Sequence, residues 1–212
     1  MGTKRLAFFC LAALLAGCVP VVSLHPLFTE ENIVFEEKLV GTWVKDPNKP
    51  EVTWVFSRLD PSAAEGILEP WRDQIGKFYR LAVTDEDGRK GVFAACLVQL
   101  GDRRFLDVLP DRFPSDEQDI EKMKLAYNGF FFLPVHTFIR VDALGERLTI
   151  RITDDEQFKE LIKADPIAVR HEEVNERLVL TASTRELQAF VAKYAGDERL
   201  FPNDLTLTRK AQ

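Results

Sequence analysis

The chain has 212 residues, of which 46% are hydrophobic, with sixteen Phe and a formal charge of −6. That length suits one well-buried domain and is short for two. The acidic balance argues against a nucleic-acid partner, which needs a basic stripe, and disfavours peripheral attraction to anionic lipid headgroups.

In chain order, Lys4 and Arg5 open a basic start, Leu6 to Leu15 form a brief apolar run, and Gly17 stands just before Cys18. A positive n-region, a short apolar core and small residues at the cut describe a signal peptide over residues 1–17. The last four residues, Leu15-Ala16-Gly17-Cys18, resemble the lipobox of bacterial lipoproteins. That resemblance implies cleavage between Gly17 and Cys18, a thioether-linked diacylglycerol on Cys18, and usually a third acyl chain, such as palmitate, on the new amino terminus. Two chains already give stable anchoring, so the implied location is the cell envelope, lipid-anchored. Val19 stands where aspartate would resemble an inner-membrane retention signal, which favours the outer membrane if the cell is Gram-negative. Two alternatives stay open. A plain secretory signal cut elsewhere would leave Cys18 an ordinary thiol or remove it. A retained helix would need about 18 apolar residues, a count that Leu6 to Leu24 approaches only by including Gly17, Pro20 and Ser23.

With the signal gone, Lys4, Arg5 and Cys10 leave, so the mature chain is more acidic. Only Cys96 then remains in the folded body, and no intramolecular disulfide can form. Residues 18–36 carry apolar side chains and two prolines in place of a flexible Ser/Gly linker, so they read as a tether packed on the body. Residues 37–212 read as a single domain.

Strands dominate that domain. Leu39 to Lys45 and Glu51 to Arg58 flank the turn cluster Asp46-Pro47-Asn48-Lys49-Pro50, and Val52, Trp54 and Phe56 alternate as in a half-buried strand. Leu59 to Gln74 reads as a loop. Lys77 to Thr84 and Lys90 to Leu100 flank Asp85-Glu86-Asp87-Gly88, a hairpin signal, and Arg103 to Leu109 follows. Gly129 to Asp142 reads as a long strand with Pro134 at a bulge or edge, pairing with Glu146 to Thr153. Ile167 to Glu172 and Arg177 to Thr181 form a hairpin around Val174-Asn175, and Asp204 to Arg209 closes the chain. Three helices are predicted. One spans about 115–127; one begins at a Thr153–Glu156 capping box; one begins at a Ser183–Glu186 capping box, with Leu187, Phe190, Val191 and Tyr194 as its apolar stripe and Gly196 at its C-terminal cap.

Hairpin-length turns between short strands predict a mainly β fold: an antiparallel meander of about nine or ten strands closing into a barrel. Two or three short helices accompany it, the last C-terminal and packed on the barrel. Gly41-Thr42-Trp43, entering the first strand after a brief turn, resembles the Gly-x-Trp motif of lipocalins and related calycins. The resemblance implies a lipocalin-like barrel plugged at one end by a short helical turn, with the tryptophan beneath it packed against an arginine. Arg185 is the nearer candidate for that arginine and Arg209 the alternative.

Candidate site residues are few. Trp43 and Trp54 read first as core and second as ligand-facing. His136, inside an apolar strand, reads as a barrel-wall residue or as a polar anchor facing a cavity. Cys96 reads as a buried inert thiol; catalysis would need exposure and a nearby base, for which His136 would have to come close. His171-Glu172-Glu173 lacks the second histidine of a zincin, since Asn175 stands four residues on. No metal, cofactor or catalytic residue is expected. The expected partners are the membrane, through the lipid, and a small apolar ligand in a barrel cavity. The alternative is a structural or protein–protein role in an envelope assembly, with Phe130-Phe131-Phe132 or the tether as the docking face.

Overall fold

The computed structural model describes residues 20–60, 66–110 and 133–210. Eight antiparallel strands, paired in chain order, close a barrel. They are β3 (Gly41–Val44), β4 (Thr53–Arg58), β5 (Phe78–Thr84), β6 (Lys90–Leu100), β7 (Arg103–Pro110), β8 (Thr137–Leu144), β9 (Arg147–Ile152) and β12 (Asn203–Arg209). Closure comes from β12 returning to β3, with Thr208 opposite Val44 and Arg209 opposite Trp43. A ninth strand, β2 (Ile33–Val34), pairs with Val98 and Leu97, taking over the edge of β6 beyond the point where β5 stops at Cys96. The barrel meander expected from the sequence is therefore present, and its closure leaves no long sheet edge open.

Between β9 and β12 the chain makes an outer layer. It holds α1 (Asp155–Ala164), the hairpin β10 (His171–Val174) and β11 (Arg177–Leu180), and α2 (Thr184–Tyr194). The hairpin turns through Asn175 and Glu176, both at positive φ, and β1 (Val22–Ser23) adds to it in parallel along β11.

Alternation along the strands divides the apolar residues into two cores. Inside the barrel lie Leu39, Trp43, Phe56, Tyr79, Leu81, Leu97, Leu106, Ile139, Ile150 and Leu207. Outside it, Phe78, Cys96, Val98, Phe105 and Phe138 face a second core made with the N-terminal strap, α1, α2 and Phe201. Strands β5 to β8 are thus covered on both faces. This explains why β6 reads as a nearly unbroken apolar run, whereas β12, with Thr206 and Thr208 exposed, alternates.

Four local expectations are corrected. Leu59 to Gln74 is not all loop: Gly66–Lys77 winds as 3₁₀ helix with a kink at Trp71, because Leu68 and Ile75 are drawn into the outer core. Helix α1 is capped by Asp154, whose side chain accepts from the Gln157 amide at 3.0 Å, while Thr153 is used elsewhere. The C-terminal cap of α2 is Ala195 and not Gly196, which adopts no positive φ. The strand after Pro134 begins only at Thr137. The Ser183–Glu186 capping box is present. The expected helix at 115–127 lies outside the described residues, as do Phe130-Phe131-Phe132.

Candidate functional site

One end of the barrel is plugged. The 3₁₀ turn Glu37–Leu39 sits where β3 begins, and the Leu39 carbonyl accepts from Trp43 Nε1 at 2.9 Å. The Arg209 guanidinium lies 4.3 Å from the Trp43 ring centre and donates to the carbonyls of Val40, at 2.8 Å, and Lys38. Gly41 is at φ +140, and a Cβ there would collide with that guanidinium. Beside this plug, Phe35 stacks on Tyr79 with ring centres 4.8 Å apart, and Arg58 lies over Phe35 at 4.1 Å. The Tyr79 hydroxyl accepts from the Glu36 amide at 2.7 Å. Burial, with the neighbouring Glu36 and Glu37 charges adding to it, pushes that phenol up to about 12.

The arginine over Trp43 is therefore Arg209. Arg185, named as the nearer candidate, is exposed on the first turn of α2 and makes no part of the plug. The reason is topological. Strand β12 closes the barrel against β3, so its last residue arrives beside the tryptophan, whereas α2 belongs to the outer layer.

Partly buried side chains of the interior core lie at both ends: Val34, Phe35, Val40 and Leu144 near the plug, and another five, Trp54, Val83, Phe93, Ile152 and Leu205. The register places these last five near the end where β3 finishes and β4 begins: Trp54 opposite Val83, Val83 opposite Gly91, and Ile152 opposite Asn203. Gly91 leaves room for the Phe93 ring, which a Cβ would meet at 2.8 Å. Trp43, by contrast, is fully buried beneath the plug. Of the two tryptophans proposed as ligand-facing, Trp54, directly opposite Trp43 across the β3–β4 ladder, is half-buried, and Trp43 is core.

His136 does not face the barrel interior. It precedes β8 on the outer side, 4% exposed, and its Nδ1 lies 2.6 Å from Asp107 Oδ1. Asp107 is wholly buried, and its other oxygen accepts from the Leu27 amide at 2.6 Å. The backbone of His136 pairs both ways with Ser23, and the ring meets Phe28 and Trp71 edge-on. Cys96 is directly opposite Asp107 across the β6–β7 ladder. Cys96, Asp107 and His136 thus lie in one neighbourhood of the outer core. That neighbourhood is sealed, and burial, with the Asp107 charge adding to it, pushes the thiol well above its ordinary range. A thiol held protonated and out of solvent is a poor nucleophile. What the pair does in this position is hold residues 20–28 against the barrel.

Asp107 was not identified from the sequence. Its signal was a single carboxylate inside Phe105-Leu106-Asp107-Val108-Leu109, since a charge in such a run must find a partner. The other histidines do not join it: His25 is exposed, and the His171 ring bonds to the Val169 carbonyl at 2.8 Å.

The tether residues are taken up by the body. Val21, Leu27 and Phe28 are buried, the Val21 amide donates to Thr153 Oγ1 at 3.1 Å, and Thr137 Oγ1 donates to the Val21 carbonyl at 3.0 Å. Leu24, by contrast, is exposed. Among the described residues no helix is long and apolar enough to cross a membrane. Gly17 and Cys18 lie outside the described residues. Comparison with known protein families, curated proteins and solved structures returns no match for this chain.

Proposed function

We propose that this chain is a lipoprotein of the bacterial cell envelope, anchored through acyl chains on Cys18, whose lipocalin-like barrel binds a small apolar ligand and performs no chemistry. The observation that carries the ligand reading is the group of half-buried aromatic and aliphatic side chains, Trp54, Val83, Phe93, Ile152 and Leu205, at the end of the barrel away from the 3₁₀ turn and Arg209. Partly covered aromatic and aliphatic side chains at the mouth of a small barrel supply contact area without directional demands, which suits a hydrocarbon. The non-catalytic reading is supported by the sealing of Cys96 and Asp107 in the outer core, where no substrate reaches them. The lipid anchor is supported by Leu15-Ala16-Gly17-Cys18 behind a basic start and a short apolar run.

Trp54 is the natural reporter. Titration of the Trp43→Phe/Trp71→Phe variant, which keeps Trp54 alone, with a brominated fatty acid should quench its fluorescence saturably. Equal quenching of Trp54→Phe variants that keep only Trp71 would point to non-specific adsorption, and no quenching at all would remove the barrel mouth as a ligand site.

A further inference from the structure

We infer that the end of the barrel where β3 finishes and β8 begins, its mouth, faces the bilayer, so that its ligand is a hydrocarbon chain taken directly from membrane lipid. The inference rests on the proposal that Cys18 is acylated, and adds to it an orientation and a source.

The chain enters the body at a definite place. Val21 is clamped between Thr137, the first residue of β8, and Thr153, the residue after β9 ends. Those strands are neighbours, and both termini lie at the mouth end. From Val21 the strap runs down the outer wall. Ser23 pairs with His136, the Leu27 amide reaches Asp107, and Ile33 pairs with Val98 near the plugged end. The entry point cannot swing away from the rim without breaking two hydrogen bonds, one of them buried, and withdrawing Val21, which is 1% exposed.

Cys18 stands three positions before Val21. Even fully extended, three steps of chain reach roughly 11 Å at 3.8 Å per step. Whatever path those residues take, acyl chains on Cys18 hold this rim, and not the plugged end, next to the headgroups. The same rim carries Trp54, Val83, Phe93, Ile152 and Leu205. Apolar side chains held that close to a bilayer exchange hydrocarbon without passing it through water, which spares the cost of hydrating each methylene on the way.

Labels at the two ends test this. Cys96 is buried and Cys18 would be acylated, so an introduced surface cysteine is the one that reacts. Asn48→Cys and Asp87→Cys place a fluorophore on the turns at the mouth, and Asp102→Cys and Glu146→Cys place one on the turns at the plugged end. Each full-length protein is purified from host membranes and reconstituted in phosphatidylcholine vesicles containing a headgroup-labelled quencher lipid. Quenching at Asn48 and Asp87 should exceed that at Asp102 and Glu146 several-fold. A long Gly/Ser insertion between Val19 and Pro20 should abolish the difference. Equal quenching at both ends, or stronger quenching at the plugged end, in protein shown by mass to be acylated would overturn the orientation and leave the anchor standing. Protein that lacks acyl mass and fails to bind vesicles would overturn both, and the mass measurement tells the two failures apart.

Discussion

Asp107 stands in the middle of Phe105-Leu106-Asp107-Val108-Leu109, where every neighbour is apolar and buried. Its two oxygens are both used, one on His136 and one on the Leu27 amide. Removing the carboxylate strands a buried imidazole and a buried N–H together, and each buried polar group left unpaired costs about 1–3 kcal/mol. Asp107→Ala should therefore lower the denaturant midpoint by that equivalent, and a loss under about 1 kcal/mol would mean that the strap is held by apolar contacts alone. Trp43 and Arg209 give a matched test at the plug. Trp43→Ala should cost about 3–5 kcal/mol as a fully buried truncation. Arg209→Ala should cost about 1–2 kcal/mol for the lost stacking and carbonyl bonds, and Arg185→Ala less than about 0.5 kcal/mol as an exposed residue. Thermal unfolding of the three variants ranks them. Trp43 was legible in the sequence as core because a tryptophan behind Gly41 buries itself wherever the sheet goes. Which arginine covers it was not, because that is set by the closing strand pairing between residues far apart in sequence.

The α2 cap and the Tyr79 plug carry opposite pH signatures. At the start of α2, Arg170 and the Ser183 hydroxyl and amide hold the Glu186 carboxyl down to about 2. A depressed carboxyl contributes stability above its ordinary value near 4.5 and loses it as pH falls toward 2. Glu186→Gln should therefore be less stable than the parent at neutral pH, and the gap should close over that acid window. A gap that stays constant to pH 2 would show that the capping carboxylate contributes no pH-dependent stability. Tyr79 works the other way. The unfolded phenol ionises near 10 while the folded one keeps its proton to about 12. Its contribution is present below pH 10 and is lost as pH rises toward 12, a loss that Tyr79→Phe should not show in alkaline denaturation. At this scale the sequence was most informative where one face of an element meets water. The alternation of β4 and β12 and the stripe of α2 set those elements within one or two residues. Gly66–Lys77 was not legible, because Pro70 and scattered charges mask a 3₁₀ segment defined only by what it covers, through Leu68 and Ile75. Thr153 misled for a similar reason: its hydroxyl receives the Val21 amide from the far end of the chain, and Asp154 takes the cap.

Taken whole, the described residues form a barrel with a buried plug at one end, half-buried Trp54, Val83, Phe93, Ile152 and Leu205 toward the other, and a strap that fixes where the chain begins its path over the wall. The barrel was legible from short strands and hairpin turns. The two-core arrangement was not, since continuous apolar runs such as β6 fit a buried strand of any fold. Cys18→Ala should release the protein from membranes into the soluble fraction. If it still sediments after high-salt and carbonate washes, hydrocarbon on that sulfur is not the anchor. The most direct test of the account is native mass spectrometry of the full-length protein, extracted from its host's membranes in mild detergent. The account predicts a polypeptide that starts at Cys18 with covalent diacylglycerol, carrying a non-covalent lipid-sized mass that is lost in Trp54→Arg. An N-terminus elsewhere or a bare Cys18, with no retained lipid, would contradict it.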